Sequence, residues 1–162
     1  MVTTTPKHLS QEWQTPPALF QEVDSVFRLT LDAAATKENR KVENHFSLLR
    51  SAFDEDWSGR VWMNPPYGRG IAAWVARAFR QRNNCEVIVG LLPASVDTAW
   101  FHSFVYRKAA LKFLKGRVAF VLPGHSGRFH APFPSMLAVW RPDAKKVNEV
   151  LVEQMDLFEE GL

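Results

Sequence analysis

Two consecutive prolines, Pro65 and Pro66, stand between an apolar stretch and a helical pattern, and they constrain this chain more than any other feature. The apolar stretch is residues 60–63, and the helical pattern is residues 70–81, where apolar side chains recur at i, i+3 and i+4. Each proline fixes its own φ and removes one backbone donor, so a strand must end there in a rigid turn. This order predicts an α/β fold with a ligand-binding turn at the carboxyl end of a strand.

The rest of the sequence continues the alternation of strands and helices and then becomes rich in strands. The predicted strands are residues 29–35, 60–63, 87–92, 110–114, 118–122 and 136–140. The predicted helices are one with Thr15 as its N-cap and Pro16 as its first residue, and those at residues 70–81, 98–106 and 144–157. We expect a mixed sheet, mostly parallel with an antiparallel C-terminal edge. Residues 1–162 should form a single domain, with residues 1–10 flexible and residues 154–162 as a tail.

Composition and charge exclude several classes of protein. No apolar run approaches the roughly 18 residues of a membrane span, and residues 1–10 lack a signal-peptide core, so we expect a cytoplasmic protein. The single cysteine, Cys85, rules out internal disulfides and cysteine-based zinc sites. His125 and His130 have no third ligand nearby, so no metal site is predicted. The net charge of +3 and the pI of about 9.2 give modest support for a polyanionic partner.

The turn at the two prolines offers hydrogen-bond acceptors beside an aromatic ring. The acceptors are the side-chain oxygen of Asn64 and the carbonyl of Pro65, and the ring is that of Tyr67. An exocyclic amine becomes nucleophilic when acceptors hold its two N–H groups and favour a tetrahedral nitrogen, while the flat substrate stacks on a ring. We therefore interpret the turn as a site for methyl transfer to an adenine or amide nitrogen. The alternative is a proline-stiffened connection without chemistry.

The run Asn64-Pro65-Pro66-Tyr67 resembles the catalytic motif of the amino-methyltransferases that use S-adenosylmethionine. The resemblance implies that these four residues are catalytic. It leaves the substrate open, because DNA adenine, DNA cytosine, RNA guanine and protein glutamine methyltransferases all carry versions of the motif.

Further segments narrow the resemblance to the small phage-type DNA N-6-adenine methyltransferase (Dam) family. These segments are Trp13-Gln14-Thr15-Pro16, residues 32–39 and 62–67, Leu91-Leu92-Pro93-Ala94, residues 97–102, Lys115-Gly116-Arg117 and residues 131–135. The resemblance implies a compact Rossmann-like methyltransferase sheet with helices on both faces. It also implies S-adenosylmethionine as the methyl donor and DNA adenine as the substrate, in a bacterial host cell, with phage, prophage or restriction–modification roles.

The resemblance places the methyl donor at the end of the strand that carries Asp32. An acid there can accept hydrogen bonds from the ammonium or ribose group of the donor; the alternative is that it caps a turn. The expected donor-binding residues are Trp13, Thr15, Pro16, Asp32, Ala33, Ala34 and Phe53. The loop after Asp32 lacks a Gly-x-Gly, and Asp32 and Asn64 lie too close in sequence for two full strand–helix units. We therefore expect an abbreviated donor site.

A base inside a duplex cannot reach Asn64, so we expect a flipped or unpaired adenine. The expected DNA-contacting residues are Arg69, Asp97, Thr98, Trp100, Arg117 and Arg128. Asp97, Thr98 and Trp100 could equally cap a helix and fill the core. The chain has no room for a separate target-recognition domain, so its sequence preference should be short or relaxed.

The segment Gln154-Met155-Asp156-Leu157-Phe158 resembles the pentapeptide by which many bacterial replication proteins bind the sliding clamp. The resemblance implies that Leu157 and Phe158 enter an apolar pocket while hydrogen bonds fix Gln154. The alternative is the last turn of an amphipathic helix. We expect a monomer or a weak dimer.

Two other functions stay open on the sequence. An RNA or protein-glutamine methyltransferase would carry the same four-residue motif. A non-catalytic DNA- or clamp-binding module with a degenerate donor site would explain the missing glycines.

Overall fold

The computed structural model describes residues 13–47, 51–121 and 127–142. The helices are α1 (Pro17–Phe27), α2 (Ile71–Gln81) and α3 (Ala99–Phe104), and a 3-10 turn covers Arg82–Asn84. The strands are β1 (Leu31–Asp32), β2 (Gly59–Met63), β3 (Cys85–Pro93), β4 (Ala110–Phe113), β5 (Ala119–Val121), β6 (Arg128–His130) and β7 (Ser135–Trp140). Within the described ranges, no helix is long and apolar enough to cross a membrane.

Five strands form the central sheet in the order β1-β2-β3-β7-β4. β1, β2 and β3 pair in parallel, and β7 is antiparallel to both β3 and β4, so all strands of this sheet except β7 point the same way. The prediction of a mixed α/β fold with a mostly parallel sheet is confirmed. The expected antiparallel edge is wrong, because β7 is buried along its whole length and lies inside the sheet. The edge is β4, which ends at the exposed Phe113.

Side chains of the central strands alternate between two hydrophobic clusters, as the two-residue repeat of a strand requires. Val61 and Met63 contribute to one cluster, and Trp62, between them, contributes to the other. The first cluster receives side chains of α2 and α3, and the second receives Val23 and Phe27 of α1. Burial of these side chains fixes β2, and with it the turn that follows.

β5 and β6 form a separate two-stranded antiparallel sheet. Its β5 strand is tied to the start of the described chain, because the N–H of Gln14 donates to the carbonyl of Val121 at 3.0 Å and the N–H of Val121 donates back at 3.1 Å. No strand is predicted between residues 122 and 136, so the sequence patterns miss β6. Three residues between glycines and prolines carry no periodic signal.

Two predicted boundaries are wrong. Pro16 is the N-cap of α1 and Pro17 its first residue, so Thr15 does not cap this helix. A proline at the first position needs no capping partner of its own, because it has no N–H. β1 covers only Leu31–Asp32, and the residues after it enter a loop that returns to Asp32 at Asn44 and Phe46. The helix predicted at residues 144–157 lies outside the described residues.

Candidate active site

A cavity of about 520 Å³ opens at the carboxyl ends of β1 and β2. Its volume lies in the range of roughly 300–1,000 Å³ that is common for small-molecule sites. The cavity brings together eight of the residues predicted to be catalytic or donor-binding: Trp13, Thr15, Asp32, Ala33, Ala34, Phe53, Asn64 and Pro66. The other three, Pro16, Pro65 and Tyr67, do not line it.

Asn64 follows β2, and one hydrogen bond fixes the orientation of its amide. Its Nδ2 donates to the backbone carbonyl of Trp13 at 2.8 Å. Its Oδ1 is buried and has no hydrogen-bond partner among the described residues. A buried acceptor without a partner costs about 1–3 kcal/mol, and Asn64 is one of the residues that line the cavity.

The turn after Asn64 is rigid. Pro65 is buried, and Pro66 is exposed at the cavity. The turn ends at Gly68, whose φ of +136° is open to glycine but costly for residues with a Cβ. The carbonyl of Gly68 accepts from the N–H of Ile71 at 3.2 Å, which starts α2.

Tyr67 is held by its hydroxyl and by the edges of two rings. The hydroxyl donates to the carbonyl of Leu91 at 3.1 Å, and burial raises the pKa of this hydroxyl far above its usual value. The ring lies 5.9 Å from that of Phe120 and 5.4 Å from that of Phe133, both in edge-to-face geometry. The raised pKa keeps the phenol neutral, and the residue as a whole is half-buried.

Asp32 organises the loop that follows β1. Its Oδ2 accepts from the N–H of Lys41 at 2.9 Å and its Oδ1 from the N–H of Ala34 at 3.3 Å. Its backbone bonds with Asn44 and Phe46 close the loop. Burial raises the pKa of the Asp32 carboxyl, and the two N–H groups act in the opposite direction. A carboxylate accepts about four hydrogen bonds, so Asp32 retains capacity for a ligand.

The same loop adds polar groups that the sequence patterns do not single out. Thr36, Asn39 and Lys41 all line the cavity. The N–H of Thr36 donates to Oδ1 of Asn39 at 2.6 Å, and the N–H of Asn39 donates to Oγ1 of Thr36 at 3.3 Å. Burial lowers the pKa of Lys41, while the charge of Asp32 acts in the opposite direction. The cavity therefore carries groups of both charges.

Phe53 and Trp74 form an aromatic wall of the cavity. Their ring centroids lie 4.7 Å apart with the planes inclined by 64°. Arg77 holds the segment that carries Phe53, because its Nε donates to the carbonyl of Ala52 at 3.1 Å and its Nη2 to that of Glu55 at 2.6 Å. Helical periodicity marks Trp74 only as an apolar residue, so its place at the cavity was not predictable from α2 alone.

The residues predicted to contact DNA lie outside the cavity. Four of them are exposed: Arg69, Asp97, Arg117 and Arg128. Thr98 caps α3, where its Oγ1 accepts from the N–H of Phe101 at 3.4 Å. Trp100 is buried in the cluster that contains α2 and α3. Thr98 and Trp100 thus have the cap and core roles of the alternative interpretation.

Two further predictions concern binding sites away from the cavity. Within residues 13–47, 51–121 and 127–142, no group of three His, Cys, Asp or Glu side chains could hold a metal ion. The residues predicted to dock on a sliding clamp, Gln154, Leu157 and Phe158, lie outside the described part of the chain.

The sheet and the cavity at its carboxyl edge define an α/β domain with a candidate small-molecule site. The fold is similar to the crystal structure of a candidate RNA methyltransferase from Pyrococcus horikoshii, with a TM-score of 0.51 and 13% sequence identity over 84% of this chain and 87% of that chain. At this identity the similarity concerns the fold alone.

The chain belongs to the DNA N-6-adenine-methyltransferase (Dam) family, whose sequence model matches residues 2–162, and the predicted family is confirmed. A relative, the DNA N-6-adenine-methyltransferase of Escherichia phage T1, is 34% identical over 102 residues. The match covers 61% of this chain and 42% of that protein, so this chain spans less than half of the relative's length. Membership of this family implies S-adenosylmethionine as the methyl donor.

Proposed function

We propose that this protein transfers a methyl group from S-adenosylmethionine to the N6 amine of adenine in DNA. One observation carries the proposal. The bond from Nδ2 of Asn64 to the Trp13 carbonyl leaves Oδ1 buried and unpartnered among the described residues, on a side chain that lines the cavity. An acceptor fixed in this way suits an N–H of an amine, and membership of the Dam family supports adenine as its source.

The cavity is proposed to hold the donor. When bound, S-adenosylmethionine supplies a methyl group on a positively charged sulfur. Its ammonium and carboxylate suit Asp32 and Lys41, and its flat base suits the wall of Phe53 and Trp74. Nε1 of Trp13 is a second buried polar atom without a partner in the described ranges, and it lies on a residue that lines the cavity. Thr15, Pro16, Ala33 and Ala34 complete the proposed donor site.

The proposed chemistry uses acceptors and no side-chain base. Oδ1 of Asn64 and the Pro65 carbonyl accept the two N–H groups, which frees the nitrogen lone pair to form the N–C bond. The S–C bond breaks, its electron pair stays on sulfur, and the amine then loses a proton to solvent. Tyr67 stacks on the base by its ring, and its hydroxyl stays protonated because burial raises its pKa.

The burial of the acceptor also bears on the form of the substrate. A paired base cannot reach a buried oxygen, so we propose that the adenine is flipped out or unpaired. The exposed Arg69, Arg117 and Arg128 support contacts with phosphates. Phosphate contacts do not read the bases, so the proposed sequence preference is short or relaxed.

The same proposal extends to the organisation of the chain. Residues 1–162 act as one domain with helices on both faces of the sheet, which the division of α1 from α2 and α3 between two clusters supports. The protein would act in the cytoplasm of a bacterial host.

The test is the transfer of labelled methyl from the donor to unmethylated DNA, RNA and protein in parallel. We expect label in N6-methyladenine of DNA and a rate loss of roughly 100- to 1,000-fold for Asn64→Ala, as for other preorganised hydrogen-bonding groups. Asn83→Ala, which removes an exposed amide from the 3-10 turn, is the matched control and should leave the rate unchanged. Label found in RNA or protein alone would refute the proposal, and no donor binding at all would favour a non-catalytic module.

A further inference from the structure

The acceptor of Asn64 depends on a backbone group far away in sequence. The carbonyl that holds Nδ2 belongs to Trp13, 51 residues earlier in the chain. Without this bond the amide could rotate and present its NH2 group, a donor, where an acceptor is required. The place of the Trp13 carbonyl therefore decides whether the side chain can hold an amine.

The two-stranded sheet β5–β6 fixes that carbonyl. Gln14, the residue next to Trp13, exchanges two backbone hydrogen bonds with Val121 at the end of β5. The Trp13 ring packs edge-on against Phe120 of β5 at 5.0 Å and stacks on Phe133, which follows β6, at 5.6 Å. Trp13 is only 9% exposed, so it has little freedom to move apart from this sheet.

The same sheet also holds the other end of the turn. The Tyr67 ring is in edge-to-face contact with Phe120 of β5 and with Phe133, which follows β6. One small sheet thus contacts the residue that orients Asn64 and the ring that follows it.

We infer that β5–β6 is the positioning element of the reaction: through Gln14 and the Trp13 carbonyl it sets the Asn64 amide with its oxygen toward the amine. This inference rests on the proposed function for its catalytic consequence. The orientation of the amide is a structural statement and can be measured without turnover.

Strand geometry offers a variant that cuts this link and a matched control. Both Val121 bonds go to Gln14, so Val121 and Arg128 form a pair without hydrogen bonds between β5 and β6, and so do Ala119 and His130. Val121→Pro removes the N–H that Gln14 accepts and keeps the β5–β6 bonds. His130→Pro removes an N–H that points away from β5, on the exposed outer strand.

The readout is hydrogen exchange of the Asn64 side-chain amide in the full chain, with its NMR signals assigned by their loss in Asn64→Asp. We expect protected amide protons in the native chain and in His130→Pro, and loss of the protection in Val121→Pro. In methyl transfer, kcat of Val121→Pro should fall between roughly tenfold and a hundredfold, while donor affinity changes far less.

Unchanged protection in Val121→Pro, or equal loss in His130→Pro, would overturn the inference. If Val121→Pro does not fold, Phe120→Leu removes the ring against Trp13 and keeps an apolar side chain, and the same exchange measurement decides. If the native chain transfers no methyl group to DNA, the proposed function fails, but the exchange of the Asn64 amide still tests the positioning.

Discussion

The turns after β1 and β2 lie side by side at the carboxyl edge of the sheet. The polar side chain that begins each turn is hydrogen-bonded in a different way. Both carboxylate oxygens of Asp32 accept hydrogen bonds from backbone N–H groups of its own loop, at 3.3 and 2.9 Å. Nδ2 of Asn64 donates to the backbone carbonyl of Trp13, which is distant in sequence, and its buried Oδ1 has no partner in the described ranges. The first side chain holds its own loop together, and the second keeps one buried acceptor without a partner in the described ranges.

The largest expected effect is on the free energy of unfolding, where replacing Asp32 and replacing Asn64 should differ. Asp32→Ala leaves two part-buried N–H groups without their acceptor, and we expect it to lower the free energy of unfolding by about 2–3 kcal/mol. Asn64→Ala loses one hydrogen bond but also removes the unpartnered oxygen, so its cost should stay within about 1 kcal/mol. Urea unfolding measures both.

Asp54→Ala, which removes an exposed carboxylate near the same cavity, is the control and should change stability by less than about 0.5 kcal/mol. Equal losses for Asp32→Ala and Asn64→Ala would break the comparison, because both residues would then be structural.

The burial of Asp32 also predicts a pH dependence. Its pKa is raised above the ordinary value of 3.8, so over the interval just above pH 3.8 the folded protein keeps a proton that the unfolded chain has lost. Because the folded state binds more protons there, its stability falls as the pH rises through that interval. In Asp32→Asn this contribution is absent. We expect the stability difference between the native chain and Asp32→Asn to decline with rising pH, and a difference independent of pH would contradict it.

The two turns differ in how far the sequence reveals them. The prolines and the apolar pattern around Asn64 are local signals, so the turn, α2 and the family were all predictable. The bond from Asn64 to Trp13 and the place of Lys41 at the cavity depend on how distant segments meet. No local pattern encodes such contacts, and the three residues of β6 are too few to show periodicity.

Trp74 tests the part of the proposed donor site that the sequence did not single out. Trp74→Ala removes one ring of the aromatic wall, and we expect it to weaken donor binding roughly tenfold, since an aromatic pair contributes about 0.5–1.5 kcal/mol beyond area burial. Trp74→Phe should retain most of the affinity and controls for loss of packing. Isothermal titration of S-adenosylmethionine measures both, and unchanged affinity in Trp74→Ala would remove the wall from the donor site.

The smallest expected effect concerns Tyr67, because its hydroxyl already donates to the backbone carbonyl of Leu91. Tyr67→Phe leaves the carbonyl of Leu91 without that donor and should cost about 1 kcal/mol of stability. The ring keeps its contacts with Phe120 and Phe133, so methyl transfer should fall by less than about fivefold, with an unchanged pH–rate profile. A much larger loss of kcat at normal stability would show that the hydroxyl takes part in the chemistry. The contrast between polar groups that are hydrogen-bonded within the protein and the unpartnered oxygen of Asn64 would then fail within a single turn.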